Sequence, residues 1–578
     1  MEKEKIKQNS VGMTPEAFAW ICKSHKLKFP EYVTVVGDLD FYQETIVKMP
    51  QNLIVCGNCD FCEARIVKMP KTLTVRGYID LNNADIRELP ESIKAGGYID
   101  LSGTKIKTLP KCLEAGGALC LNNTSITEVP AGMRANGSIY LNDTLIDHLP
   151  EDFEVKENLD LSYTNIKELP NNMKVGKGLF LCKTPLESLP ETLQVNGPLN
   201  LRYTNIKTLP KHRKFMCGLD LAFSKIETLP EHFEVEGELN LNGTPITELP
   251  DDLKVGGGLC LSGSKVTKLP SRLVVGKSLD ISITQITEIP KDITVGRDLV
   301  ISHTPIRYLP KGLKVNGNLI ARDSALEALP EDLTVLGSVI LLGSKIVHIP
   351  NNIIVCGSLD LDRTPIQELP DNLIVGEYLA VSRTKIVKLP ENLTIGGELY
   401  VDPSQSTALP ESLKVGRGVY QCSIAYSSEL VQRGNLSNGT YIPGKCLYAD
   451  RCLTYVKRKR TFQGYTVYVG RIPGYNVITD GKHYAHCDSL RDGIKDLQFK
   501  KIKDRGMKQY EHLTLDSELP AEEMITMYRV ITGACRQGTE AFLRNLGTLK
   551  EIYTVREAIE LTKGQYGAEM FDQFFSNK

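Results

Sequence analysis

No stretch of this chain is apolar for long enough to cross a membrane, and its first residues, MEKEKIKQNS, lack the hydrophobic core of a secretory leader. Net charge is nearly absent too, at −1 over 578 residues, which excludes a global pull toward nucleic acid or an anionic membrane. A soluble, cytoplasmic protein is the expectation; export by a dedicated secretion machine leaves no such mark and stays compatible with it. The 15 cysteines are odd in number and scattered rather than paired, the pattern of free thiols in a reducing compartment. Apolar residues are not scarce: at 41% they supply ample core, and a chain of this length is expected to hold more than one domain.

Irregularity is also missing. From Pro30 to Pro410 a proline recurs every twentieth residue with no insertion or deletion, in the pattern P-x-x-L-x-V-x-G-x-L-x-L-x-x-T-x-I-x-x-L-P; Asp251 to Pro270 reads DDLKVGGGLCLSGSKVTKLP. A fixed period of this size marks a solenoid, each coil burying its apolar side only against its neighbours. The Leu-x-Leu pairs, such as Leu259 and Leu261, alternate like a half-buried strand, and stacked coils would join these strands into one parallel sheet. A helix across the Leu-Pro step is excluded by the proline. Leu-x-Val, as at Leu253 and Val255, supplies a second inward pair, and the glycine two places on, as at Gly257, suits a corner. A hydroxyl residue stands at one coil position from Thr104 to Ser404, where it can bond its own backbone or the next coil.

The run LNLNGTPITELP (Leu239 to Pro250) resembles the strand-and-turn signature of leucine-rich-repeat proteins, with Thr where Asn is usual. Short twenty-residue units ending in Leu-Pro are similar to those of bacterial members, secreted effectors among them. The resemblance covers about two thirds of the chain and implies a protein-binding surface.

Which surface binds is read from the residue between the two strand leucines, which faces outward. It is acidic at Asp60, Asp80, Asp100, Asp160 and Asp220, and apolar at Val300, Ile320 and Ile340. Stacked acids fit a basic protein partner, although they also keep an exposed sheet soluble; an outward apolar patch fits a further contact. Cys56, Cys59 and Cys62 form C-x-x-C-x-x-C, a spacing that hints at a metal or cluster. Strand alternation sends Cys59 inward and no fourth ligand stands nearby, so neither a metal nor another cofactor is expected. Arg213 and Pro403 break the pattern, the first at an inward Leu position, the second inside the last strand.

At the N-terminus, Thr14-Pro15-Glu16 reads as a helix start with Phe18, Ile21 and Cys22 on one face, a cap for the first coil. Beyond Tyr420 the period ends, and SSELVQRGNLSNGTYIPG has linker composition. A strand at Thr466 to Ile472, a hairpin closing at Asp480-Gly481, a helix capped by Asp488 and Ser489, and a capping box Thr554 to Glu557 then indicate a small α+β domain. Lys457, Arg458, Lys459 and Arg460 form a basic run that is weak as a nucleic-acid signal and usual for a solvated strand. Cys487, Cys535 and His486 are candidates for a thiol-dependent site, yet neighbouring strand residues point to opposite faces, so His486 is badly placed to activate Cys487.

The expected fold is therefore α/β, mostly β: residues 1–30 a cap, 31–420 a leucine-rich-repeat-like solenoid of about nineteen coils, 421–444 a linker, and 445–578 an α+β domain. A protein-binding scaffold is the expected function. A cysteine-dependent effector enzyme is the alternative.

Overall fold

A computed structural model describes residues 11–23, 28–151, 153–210, 214–351, 353–406, 409–422, 428–442, 446–450, 452–471, 475–532, 534, 539, 542–543, 546, 549–565 and 567–576. It divides into two compact units, the first comprising Met1–Val355, Leu359–Leu373 and Val381–Pro390, the second Cys356–Ser358, Ile374–Ala380 and Glu391–Lys578.

In the first unit the described coils share one plan, although the Leu-x-Val strands form several separate parallel sheets, not one ladder. Asp251 to Pro270 contributes two short strands, Lys254–Val255 and Leu259–Cys260, each hydrogen-bonded in parallel to its equivalents twenty residues before and after. The Leu-x-Leu ladder runs from Leu39–Asp40 to Leu359–Asp360 without a register shift. Leu253, Val255, Leu259, Leu261, Val266 and Leu269 are all buried, so one side of the coil is core. Each such side chain contributes about 1.5–3 kcal/mol, but only while both neighbours are present. No helix crosses the Leu269–Pro270 step. At the corner Gly257 is required sterically: a Cβ there would lie 2.5 Å from the Gly237 backbone.

The strand ends in a tight turn whose third residue has positive φ in coil after coil, as at Glu63 (57°), Asn83 (54°) and Asn123 (58°). In the coil of Glu63, Ala64 N–H closes the turn on the Phe61 carbonyl at 3.0 Å. The buried hydroxyls then bond their own coil, not the next: Thr104 Oγ1 donates to the Leu101 carbonyl at 2.7 Å, and Thr304 to that of Ile301 at 2.7 Å. Where Ser replaces Thr at Ser224, Ser264 and Ser344, the hydroxyl oxygen has no partner among the described residues.

At the start of the stack, Val11–Met13 pairs in parallel with Tyr32–Val35 and the helix Pro15–Lys23 follows. Thr14 Oγ1 accepts the Ala17 N–H at 3.3 Å, and Phe18 is fully buried with its ring 6.2 Å from that of Phe41. The irregular position Arg213 lies outside the described residues.

The second unit corrects two expectations. Pro403 does not interrupt a strand; it opens a four-residue helical turn, Pro403–Ser406, just after the strand Glu398–Val401. Within the segment of linker composition, Ser428–Arg433 is a strand running antiparallel to Gly418–Cys422. Asn435 then continues the coil pattern with its side chain, accepting the Val415 N–H at 2.8 Å and donating to the Leu413 carbonyl at 2.7 Å. Polar composition marked exposure there, not absence of structure. A six-stranded antiparallel sheet follows, with Cys452–Phe462, Tyr465–Gly470, Asn476–Thr479 and Tyr484–Cys487 as its last four strands. The helix Leu490–Arg505 covers Val467, Ile478, Ala485 and Cys487 through Leu497. The helices Ala521–Thr532, Val555–Leu561 and Ala568–Ser576 form a separate core around Met527, Tyr528, Phe571 and Phe575, and the capping box at Thr554 and Glu557 is complete.

Candidate recognition face

The outward column is more than a row of charges. Each acid accepts a backbone N–H two residues on: Asp60 from Cys62 at 3.0 Å, Asp80 from Asn82 at 3.0 Å, Asp100 from Ser102 at 2.8 Å, Asp160 from Ser162 at 2.9 Å and Asp220 from Ala222 at 3.0 Å. Asn200 and Asn240 do the same, both at 3.1 Å. This is the Asx turn, which supplies an acceptor as the strand enters its tight turn. The recurring Asp or Asn two residues before a turn carried that signal in the sequence.

These turns use the Oδ1 atom of each carboxylate. In the first coils the charge is not neutralised: among the described residues, none of Asp40, Asp60, Asp80 and Asp100 has a Lys, Arg or His partner, whereas Asp220 meets Arg202 at 3.3 Å. Burial pushes the Asp80 carboxyl above its ordinary value, the Asn82 N–H opposes this, and Asp100 and Asp60 push it further up. Tyr78 and Tyr98 stack 4.7 Å apart beside the column; burial and the same acids raise both phenols, Tyr98 to about 12. After burial, the neighbouring carboxylates of the column are a shared cause of the shifts at Asp80, Tyr78 and Tyr98.

Further along the column, Val300, Ile320 and Ile340 are adjacent in the ladder. Ile340 is only 7% exposed, so the apolar surface offered to a partner comes from the half-buried Val300 and Ile320.

The second unit separates the candidate thiol chemistry. His486 and Cys487 point to opposite faces of their strand. His486 Nε2 lies 2.9 Å from Thr454 Oγ1, and burial lowers the imidazole pKa, with Asp450 opposing and Lys500 assisting. Cys487 is buried beside Ile478 and Leu497, which pushes its thiol up to about 11, helped by Asp496, Asp488 and Asp492. A thiol in that setting is a poor nucleophile at neutral pH. Cys535 lies outside the described residues. Lys457, Arg458, Lys459 and Arg460 are exposed along one strand, Lys459 with its ammonium 5.4 Å from the Tyr468 ring centroid. Cys59 is buried in the first coils, and among the described residues no three metal-ligating side chains converge.

Parallel two-strand coils, inward Leu-x-Leu pairs and a Leu-Pro step closing each turn place the repeat. The solenoid is of the leucine-rich-repeat type. No protein-family model matches this chain, nor does any curated protein sequence. Among solved structures, this chain is similar to YopM of Yersinia enterocolitica WA-314, at 21% identity over 67% of this chain and 86% of that one, with a TM-score of 0.42. A leucine-rich-repeat protein of Leptospira interrogans matches at 18% identity over 58% of this chain and 94% of its own, TM-score 0.37. The Toll–Spatzle complex of Drosophila matches at 14% identity over 82% and 72%, TM-score 0.34. At such identities and scores none of them identifies a ligand for this chain. No described helix is long and apolar enough to cross a membrane.

Proposed function

We propose that this chain is a recognition protein whose solenoid sheet holds a partner protein, the acidic first coils engaging a basic segment of it and Val300 and Ile320 adding apolar contact. The C-terminal α+β domain serves as an adaptor or as a cap. One observation carries the reading: Asp40, Asp60, Asp80 and Asp100 form an outward row with no cationic partner among the described residues. Unpaired charge of one sign, spaced by about 4.8 Å per coil, steers and orients a partner of the opposite sign.

The test uses Asp60→Asn, Asp80→Asn and Asp100→Asn together, because Asn keeps the turn acceptor, as Asn200 and Asn240 show. Proteins captured by the full chain are compared with those captured by the triple variant, and by Val300→Ser with Ile320→Ser. Loss of a salt-sensitive, basic partner from the triple variant is expected. An unchanged set of captured proteins would refute the acidic face as the binding surface.

A further inference from the structure

The turn residue with positive φ changes character midway along the solenoid. It is small or polar at Gly103, Asn123 and Asp143, becomes Tyr163, Lys183, Tyr203 and Phe223 with φ of 60°, 57°, 58° and 57°, returns to Gly243 and Gly263, and is then Ile283 at 56°. Bulky and β-branched side chains are strained in this conformation. The stack enforces it: the N–H groups of Tyr163, Lys183, Tyr203 and Phe223 bond the carbonyls of Cys182, Arg202, Ala222 and Asn242 at 2.8, 2.8, 3.0 and 2.8 Å. The core does not need these side chains, since Tyr163 is 50%, Tyr203 45%, Phe223 43% and Ile283 61% exposed. They form a ridge instead. The Tyr203 and Phe223 rings stack at 4.8 Å, and the Lys183 ammonium lies 4.9 Å from the Tyr163 centroid and 5.6 Å from that of Tyr203.

We propose that this ridge is the interface of a two-fold dimer of this chain, the two ridges antiparallel and the axis passing between the coils of Lys183 and Tyr203. Because the repeat is strictly twenty residues, such an axis dictates every pair. Along the turn column Lys183 faces Tyr203 of the second copy, Tyr163 faces Phe223, Asp143 faces Gly243, Asn123 faces Gly263, and Gly103 receives Ile283. Each large group meets a ring, a cation or a glycine. Two positions on, the pairs are Pro185 with Asn205, Asn165 with Lys225, the exposed Leu145 with Pro245, Ser125 with Lys265, and Lys105 with Gln285. No pair across these coils sets like charges together. Centring the axis on Lys183 instead would set that lysine against itself and Lys105 against Lys265, so the register is specified by repulsion as well as by fit. The two columns engage about twenty residues per copy, the lower end of a standard interface.

Sedimentation equilibrium of the full chain tests this. The wild type is expected to be a dimer at micromolar concentration. Tyr163→Lys with Phe223→Lys places like charges opposite each other twice per dimer and should weaken association about tenfold or more, whereas Tyr163→Lys with Phe223→Asp should restore it to within about threefold. Lys and Asp both occupy this turn already, at Lys183 and Asp143, so both variants should fold. A wild type that stays monomeric at about 100 μM, whether or not the ridge holds another partner, overturns the proposal. So does a dimer that the two double variants affect equally.

Discussion

Asp80 separates the two roles of the acidic column, because Asn can perform one of them and Ala neither. Its Oδ1 accepts the Asn82 N–H at 3.0 Å, and its charge sits in the column between Asp60 and Asp100. In Asp80→Ala the half-buried Asn82 amide loses its acceptor, a cost of about 1–3 kcal/mol, so local opening and amide exchange at Asn82 should accelerate by roughly five- to 150-fold. In Asp80→Asn the acceptor remains and the repulsion goes. At a separation of about 5 Å each like-charge pair costs from about 0.8 kcal/mol at the water limit to about 3 kcal/mol at an effective dielectric of 20, so exchange should slow or stay unchanged. Hydrogen exchange resolved at Asn82 reads both. The pH dependence gives a second check. The folded pKa of Asp80 lies above the unfolded one, so the folded state binds the proton more tightly and stability falls as pH rises through the window between them. Asp80→Asn should remove the part of that slope due to Asp80 and leave the part due to Asp360, whose carboxyl burial also raises. Equal acceleration of Asn82 exchange in the Ala and Asn variants would refute the Asx-turn account.

Other perturbations follow from the same structure. Ser224→Thr, Ser264→Thr and Ser344→Thr should each stabilise by about 1 kcal/mol, through the hydroxyl bond seen at Thr104 and one more buried methyl, read as a higher urea midpoint. Asn435→Ala should loosen the last coil by about 1–2 kcal/mol, seen as faster exchange at Val415 and no change in the first coils. Cys487, with its thiol near 11, should alkylate about a hundredfold more slowly in the native chain than in the unfolded one; fast native labelling would restore the enzymatic alternative. His483 is held between Asp504 at 2.9 Å and Asp480 at 3.2 Å, and Asp504 leads in raising its pKa. Its contribution, below about 1 kcal/mol, should be complete below the unfolded value and disappear as pH rises through the folded one, and Asp504→Asn should flatten that dependence in a urea-midpoint series.

Much of this molecule was decided by a pattern that repeats in the chain itself. A twenty-residue period with Leu at two alternating positions leaves one way to bury those side chains, so the coils, their parallel ladder and the inward-facing leucines were legible without coordinates. The capping box at Thr554 and the helix start at Thr14 were legible for the same reason, since both are contacts between residues three apart. What depended on residues brought together by stacking was not. Outward orientation alone does not reveal that Asp60, Asp80 and Asp100 serve as turn acceptors, and strand alternation places Ile340 outward although the folded chain buries it. Ser428–Arg433 reads as a linker by composition and becomes a strand only because Gly418–Cys422 presents an edge to pair with. Alternation along the strand already set His486 apart from Cys487, but that the imidazole rests on Thr454, 32 residues away, was decided by the pairing of distant strands. Local periodicity dictates where side chains point; only the assembled neighbours decide what they meet.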